Sequence, residues 1–154
     1  MPSTFSQIYI HVIFAVQGRE NLIDPSYKDE LEKYMTEILT RKEQKLYAIS
    51  CMPDHVHFFV SMQPNIGLSD LVRDVKNNVS RFINQKDWMK EKFRWQKGFG
   101  AFSYGHSQID RVVKYIQNQE THHSNRKFKQ EYLEMLDKFQ VSYDNKYLFE
   151  WLND

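Results

Sequence analysis

The sequence predicts an α+β fold in which one antiparallel sheet and its helices follow the order β-α-β-β-α-β, the split βαβ arrangement. Three observations predict it. Segments of alternating apolar residues, typical of strands, are interleaved with two segments of helical periodicity. Only Pro53-Asp54 separates the two central strand segments, which makes them a tight hairpin. The 154 residues contain no repeat and no linker-like tract, and such a length is typical of one domain spanning residues 1–154.

The elements follow from periodicity and capping residues, taken in chain order. Residues 5–16 alternate and predict the first strand, with His11 on the face opposite Val12. Asp24 followed by Pro25 is an N-cap with proline at the first helical position, and it predicts a helix over 25–41. The remaining elements are a hairpin over 46–52 and 55–62, a helix over 68–85, and a glycine-punctuated strand over 98–104.

This order gives a ferredoxin-like core over about 5–104, with both helices on one face of the sheet. We expect the other face to be open for a site or a partner. The extension over 105–154 predicts a third helix from Ser107 to about His122, where Ser107 and Asp110 resemble a capping box. A fourth helix is expected between Phe128 and Phe139. An aromatic cluster is expected to pack on the core or on a second subunit: Tyr143, Tyr147, Phe149 and Trp151.

Composition excludes several classes of protein. Lys plus Arg is 21 and Asp plus Glu is 20, and the net charge of +1 argues against a purely electrostatic nucleic-acid binder while allowing a local basic patch. The single cysteine, Cys51, excludes an intrachain disulfide and a multi-cysteine zinc site, and we expect it to be a small buried hydrophobe. No apolar run approaches the roughly 18 residues that span a bilayer, and no secretory signal is evident. The expected location is the cytoplasm, without a membrane partner.

A pair of histidines occupies the second strand of the hairpin. His55 and His57 alternate, so their side chains share one face, whereas Val56 and Phe58 face the apolar side. Two neutral imidazoles a few ångströms apart are suitable ligands for a divalent cation. The pattern alone also allows two surface histidines on a half-exposed strand.

Tyr115 and Gln119 lie four residues apart on the third predicted helix, so their side chains are neighbours. A phenol is a nucleophile only when it is deprotonated, and it therefore needs a cation or a base close by. The amide oxygen of Gln119 could complete a site of two imidazoles and one oxygen. The alternatives are a tyrosine at the edge of the core and a solvated glutamine. His122 shares their side of the helix and could contact the metal or DNA, or be solvated.

Two segments carry a resemblance to a known family. Pro53-Asp54-His55-Val56-His57, followed by Phe58-Phe59-Val60, resembles the HUH motif of single-tyrosine transposases of the insertion sequence 200/605-like class, which includes the REP-associated tyrosine transposases. The segment from Val112 to Gln119 is similar to the tyrosine helix of that family. Asp54 stands where the family often has asparagine, and its carboxylate could tighten cation binding or shape the turn.

The resemblance implies a complete chemistry. His55 and His57 would hold Mg²⁺ or Mn²⁺, Gln119 would be the third ligand, and Tyr115 would be the nucleophile. The implied activity is metal-dependent cleavage and rejoining of single-stranded DNA through a 5′-phosphotyrosine, with recognition of DNA hairpins and no nucleotide cofactor. The implied assembly is a homodimer, because in family members the tyrosine of one subunit serves the histidine pair of the other. His11 could lie near the site, or it could make a structural hydrogen bond.

Two regions are candidate DNA surfaces. Residues 86–97 interleave cations with aromatic rings, a combination suited to single-stranded DNA, although the rings could instead bury against the sheet. The outward side of the second helix is also basic, although a solvated face is the ordinary alternative. The predicted DNA contacts are Arg73, Lys76, Arg81, Lys90, Lys92, Arg94, Trp95 and Lys97.

Two other functions remain open from the sequence. A ferredoxin-like sheet without catalysis could bind single-stranded nucleic acid through stacked aromatic rings. A domesticated nickase of the same HUH chemistry would cleave a chromosomal hairpin instead of a mobile element. The set His55, His57, Tyr115 and Gln119 favours an enzyme over a binding module, because a module that only binds has no use for all four.

Overall fold

The structure, a computed structural model, describes residues 4–18, 22–119 and 126–152. Its centre is a four-stranded sheet in the order β2-β3-β1-β4, and all neighbouring strands are antiparallel. The first and third strands lie at the middle of the sheet, so each crossover helix connects two strands that have another strand between them. This arrangement confirms the predicted ferredoxin-like fold. The strands are β1 (Tyr9–Ala15), β2 (Lys45–Cys51), β3 (His55–Ser61) and β4 (Gly100–Tyr104).

Two helices, α1 (Lys28–Arg41) and α2 (Leu68–Gln85), cover one face of the sheet, as predicted. Asp24 accepts a hydrogen bond from the backbone N–H of Ser26 and so caps the short 3₁₀ turn that leads into α1. The apolar stripes of both helices meet the even-numbered side chains of β1 and β3 in the largest hydrophobic core. Its central members are Val12, Phe14, Leu31, Met35, Val56, Phe58, Leu71 and Val75.

The other face of the sheet is also covered, so the expectation of an open face was wrong. Two further helices, α3 (Ile109–Gln117) and α4 (Phe128–Lys138), pack on it. The reason is that this face is itself largely apolar, and leaving it in water would be unfavourable. Its buried members include Tyr9, Ile13, Ala15, Phe59 and Phe102.

Several predicted boundaries differ from the observed ones. β1 is shorter than the predicted 5–16, and Val16 forms an isolated bridge with Trp95. The predicted capping box at Ser107 was wrong, because Gly105 donates its backbone N–H to Oε1 of Gln108 instead. α3 ends at Gln117 rather than near 122, and His122 lies outside the described residues.

The aromatic cluster near the end of the chain divides into two groups. Phe149 is buried and Trp151 packs beside it against α4 and β4, which agrees with packing on the core. Tyr143 and Tyr147 are exposed. Cys51 is buried, and burial raises the pKa of its thiol, as expected for a small hydrophobic residue. In the described parts of the chain, no helix has both the length and the apolar character needed to cross a membrane.

Candidate active site

The register of the central strands places two histidines beneath the C-terminal helices. His57 pairs with Ile13 of β1, and His55 pairs with Ala15, so both imidazoles project from the middle of the sheet. Both side chains are 0% exposed. The alternative of two surface histidines is therefore wrong, although the prediction that they share one face is confirmed.

Each of these histidines has a neighbour at Nδ1. Oδ1 of Asp54 lies 2.7 Å from Nδ1 of His55, and Nε2 of His11 lies 2.8 Å from Nδ1 of His57. Both contacts orient a ring so that its Nε2 is the nitrogen that faces the interior of the site. Partners of this kind fix the orientation and tautomer of metal-binding histidines in many proteins.

His11 is held neutral by its surroundings. Its ring is buried, and burial, together with the neighbouring His57, lowers the pKa of His11 well below its ordinary value. A neutral imidazole carries one hydrogen. If His57 keeps the lone pair of Nε2 for a cation, its Nδ1 donates to Nε2 of His11, and the hydrogen of His11 is then on Nδ1. His11 therefore makes the structural hydrogen bond that was one of its two expected roles.

A carboxylate from α4 completes the group. Glu131 is 0% exposed, and its Oε1 lies 3.3 Å from Nε2 of His57 and 3.8 Å from Nε2 of His55. Phe128, one helical turn earlier, stacks on the ring of His55 with a centroid distance of 3.9 Å. α4 thus contributes both the apolar cover of the site and its acidic group.

The predicted nucleophile reaches the same carboxylate. Tyr115 donates its phenol hydrogen to Oε2 of Glu131, and Nε2 of Gln119 donates to the same oxygen at 3.1 Å. The rings of Tyr115 and His57 are 6.2 Å apart between centroids. Burial, followed by the negative charge of Glu131 and the hydrogen bond to it, raises the pKa of Tyr115 above its ordinary value. The phenol is therefore protonated in this arrangement.

The chemistry of this donor set fits a divalent cation. One potential ligand atom from each of His55, His57 and Glu131 lies within 4.8 Å of the others, and all three side chains are buried. Two imidazole nitrogens and a carboxylate oxygen form a set that divalent transition metals accept, and carboxylates also suit Mg²⁺ and Mn²⁺. Gln119 lies beside the group, where the contact of its amide with Glu131 can hold that carboxylate in place.

The structure brings the predicted residues His55, His57, Tyr115 and Gln119 together within one chain, whereas Glu131 was missed. The missed residue had left a signal in the sequence. It falls on the apolar stripe of α4, three residues after Phe128 and four before Met135, both of which are buried. A charged residue in the middle of a buried stripe indicates a paired or metal-binding group, because burying an unpaired charge is costly.

Two of the predicted DNA contacts have roles inside the fold. Lys76 donates to the carbonyl oxygens of Gln96 and Gly98, at 2.8 and 2.9 Å. The indole of Trp95 donates to the carbonyl oxygen of Lys76, and its ring packs edge-on against Phe14. These contacts support the alternative in which the aromatic rings of 86–97 bury against the sheet, and they fasten that segment to α2.

The other predicted contacts are exposed on the outer side of α2 and of the connector. A groove of about 690 Å³ runs between α2 and residues 92–99. Arg73 lines it but forms ion pairs with Asp70 and Asp74. The remaining cations of the set divide into those that line this groove, Lys92, Arg94 and Lys97, and those exposed beside it, Arg81 and Lys90.

Comparisons with known proteins agree with this fold. A sequence profile of the family described as "Transposase IS200 like" matches residues 4–119. The ISDra2 transposase TnpA of Deinococcus radiodurans is 24% identical over 118 residues, which cover 73% of this chain and 84% of the relative.

Two solved structures share the fold. A crystal structure described as a transposase of Deinococcus radiodurans has a TM-score of 0.60 and 21% identity, covering 77% of this chain and 95% of that one. The structure of a REP-associated tyrosine transposase bound to a REP hairpin has a TM-score of 0.59 and 13% identity. The match covers 80% of this chain and 73% of that one. Since the family profile spans most of the chain and includes the histidine pair, Tyr115 and Gln119, the chain belongs to the IS200-like family of transposase enzymes.

Proposed function

We propose that this protein cleaves and rejoins single-stranded DNA in a metal-dependent reaction, with Tyr115 as the nucleophile, and that it recognises DNA hairpins. The observation that carries the proposal is that the Tyr115 phenol contacts the carboxylate that faces the two buried histidines. Hairpin recognition is supported by the likeness to a transposase whose solved structure contains a REP hairpin.

The metal ligands in this proposal are His55 and His57, through their Nε2 atoms, with an oxygen ligand from α3 or α4. Gln119 is the oxygen donor that the family resemblance implies, and Glu131 is the donor that the geometry favours, because its Oε1 faces both imidazoles. The cation is Mg²⁺ or Mn²⁺. When bound, it would neutralise charge on the scissile phosphate and polarise its oxygens.

Tyr115 performs the covalent step. The phenol passes its hydrogen to Oε2 of Glu131 and attacks phosphorus, so that a bond from phosphorus to the tyrosine oxygen forms as the bond to the 3′ oxygen breaks. The 3′ oxygen leaves as a hydroxyl by taking a proton from water, and the hydroxide that remains takes the proton held by Glu131, which restores the carboxylate. The phosphotyrosine linkage conserves the free energy of the phosphodiester bond. A 3′ hydroxyl on another DNA end can therefore attack the phosphotyrosine and form a new phosphodiester bond without a nucleotide cofactor.

We propose that one chain carries a complete site. Tyr115, His57 and Glu131 of the same chain lie in contact with one another. The homodimer that the resemblance implies would then hold two separate sites rather than two shared ones. Mixing two inactive variants, Tyr115→Phe and His57→Ala, tests this point: the mixture should remain inactive, and recovered cleavage would show that the tyrosine serves the other subunit.

The DNA hairpin is proposed to bind along the groove beside α2. The exposed cations Lys92, Arg94 and Lys97 are spaced along this groove, where they can contact successive phosphates. Trp95 and Lys76 hold the wall of the groove in place from the inside. The groove therefore supplies backbone contacts, and the site beneath α4 supplies the chemistry.

The central test is a denaturing gel after incubation with hairpin-bearing single-stranded DNA and Mg²⁺ or Mn²⁺. A covalent protein–DNA adduct should form only with metal, and it should be absent from Tyr115→Phe. Tyr147→Phe is the matched control, since Tyr147 is exposed whereas both histidines are buried. An adduct that persists in Tyr115→Phe would contradict the assignment of the nucleophile. Binding without any adduct in the unaltered protein would leave a non-catalytic nucleic-acid-binding module.

A further inference from the structure

A second cavity opens directly beside the nucleophile. It has a volume of about 510 Å³, lies between α3 and α4, and is lined by Tyr115, Tyr104 and Phe139 among others. Ligand-binding pockets in proteins are commonly about 300–1,000 Å³. The cavity is separate from the groove beside α2, and neither the histidine pair nor the proposed phosphate contacts account for it.

The walls of the cavity combine flat rings with positive charge. The rings of Tyr104 and Phe139 meet edge to face, with centroids 5.3 Å apart. Arg111, Lys114 and Lys138 also line the cavity, and none of them has an ion-pair partner within 4.0 Å among the described residues. The acidic residues of the lining are already engaged, since Arg126 pairs with Glu134 and the Glu131 carboxylate accepts from Tyr115. The cavity is therefore suited to a ligand with a flat apolar part and a negative charge.

A buried polar atom points to the same conclusion. His11 lines the cavity and is 1% exposed, yet its Nδ1 has no hydrogen-bond partner among the described residues. The tautomer that prepares His57 for a cation puts a hydrogen on this Nδ1. A buried donor of this kind normally finds an acceptor in water or in a ligand.

We propose that this cavity binds one unpaired nucleotide of the DNA strand, the one that flanks the phosphate attacked by Tyr115. The inference rests on the proposed function, because it assumes that Tyr115 attacks a DNA phosphate. A nucleotide joined to that phosphate must lie within its own length of the phenol, and the cavity begins at the Tyr115 ring. A base turned out of its stack can pack against aromatic side chains, while neighbouring phosphates meet the cations at the rim.

The test measures binding without cleavage. The DNA hairpins carry unpaired flanks, and the flank that binds most tightly is first selected from a randomised set. The full-length Tyr115→Phe variant, free of metal, is then titrated with that hairpin. An abasic nucleotide is then placed at each unpaired position in turn. One position should weaken binding by about tenfold, as expected for the loss of one base–aromatic stack. A 4-thiothymidine at that position should crosslink to Tyr104 or Phe139, and the position identifies which side of the scissile phosphate is held.

Variants of the cavity complete the test. Phe139→Leu should remove most of the abasic penalty, because the stack would already be lost. Lys138→Ala should weaken binding, whereas Lys129→Ala, exposed on the same helix but outside the cavity, should not. The inference would be overturned if the abasic substitution weakened binding equally in Phe139→Leu, or if crosslinks formed only outside the cavity. Adduct formation by the unaltered protein would still uphold the proposed function in that case. Nucleotide binding in the cavity without any adduct would instead contradict the proposed function.

Discussion

Tyr115 donates its phenol hydrogen to Oε2 of Glu131, and the other oxygen of the same carboxylate faces the two buried histidines. One side chain therefore contacts both the candidate metal ligands and the candidate nucleophile. Because Glu131 comes from α4, the helix that closes the second face of the sheet is also a component of the site. Substitutions in α4 and in its contacts should consequently change metal binding as well as stability.

Glu131→Gln should weaken Mn²⁺ binding by at least about tenfold, the lower limit seen even for residues that only support metal ligands. The amide removes the negative charge while keeping the size of the side chain. Isothermal titration with Mn²⁺ measures the effect, and Glu134→Gln, exposed on the same helix, is the matched control. A larger loss of Mn²⁺ affinity in Gln119→Ala than in Glu131→Gln would mean that Gln119, rather than Glu131, is the third ligand.

Asp54→Ala should lower the affinity for Mn²⁺ by about 10–100-fold, because Nδ1 of His55 would lose the carboxylate that orients it. Asp54→Asn should retain most of the affinity, since its amide oxygen can accept the same hydrogen bond. The two variants are compared by titration with Mn²⁺. Equal losses in both would mean that the charge of Asp54, rather than its hydrogen bond, supports the site.

Gly100→Ala should destabilise the fold by about 1–3 kcal/mol, the usual range for overpacking. A Cβ at Gly100 would lie 2.5 Å from the hydroxyl oxygen of Tyr132, a buried residue of α4, so the ring and its helix would have to move. Gly67→Ala is the control, because a Cβ at Gly67 would lie 3.5 Å from its nearest neighbour, Oδ2 of Asp70, which is an ordinary van der Waals distance. Urea denaturation measures the loss. Unchanged stability with weaker Mn²⁺ binding would instead indicate a local shift of α4.

Lys76 should titrate near pH 8, since burial lowers the pKa of its ammonium group from 10.5 to about 8. Between these values the unfolded chain holds a proton that the folded chain has lost, so the free energy of unfolding should rise with pH in this window. Lys76→Met should abolish that rise. Carbon-13 NMR of the Lys76 side chain gives the midpoint directly, and a midpoint near 10.5 would contradict the prediction.

The double variant Arg94→Ala with Lys97→Ala should weaken hairpin binding and reduce its salt dependence. Each lost contact with a single-strand phosphate should lower the slope of log affinity against log salt by about 0.7. The control is Lys33→Ala with Arg41→Ala, two exposed cations of α1. Equal effects in both double variants would mean that the protein binds DNA through its overall charge rather than through the groove beside α2.

The sequence predicted what depends on local patterns. Alternation gave the strands, helical periodicity gave α1 and α2, and the spacing of His55 and His57 placed both imidazoles on one face. Covering of the second face could not be read in the same way, because it depends on how a separate helix docks. Glu131 was missed for that reason. The histidines that it faces, which make it a candidate metal ligand, lie more than seventy positions earlier in the chain.

The distance in sequence between these donors has a consequence for when the protein becomes active. The histidine pair and the tyrosine are synthesised before α4, which brings the carboxylate. While the ribosome is still making that last helix, the nascent polypeptide has the proposed nucleophile but lacks the acidic group beside it. Shortened products that end before α4 would lack the same group. In the proposed reaction, DNA cleavage therefore becomes possible only after residue 131 has been translated and its helix has docked.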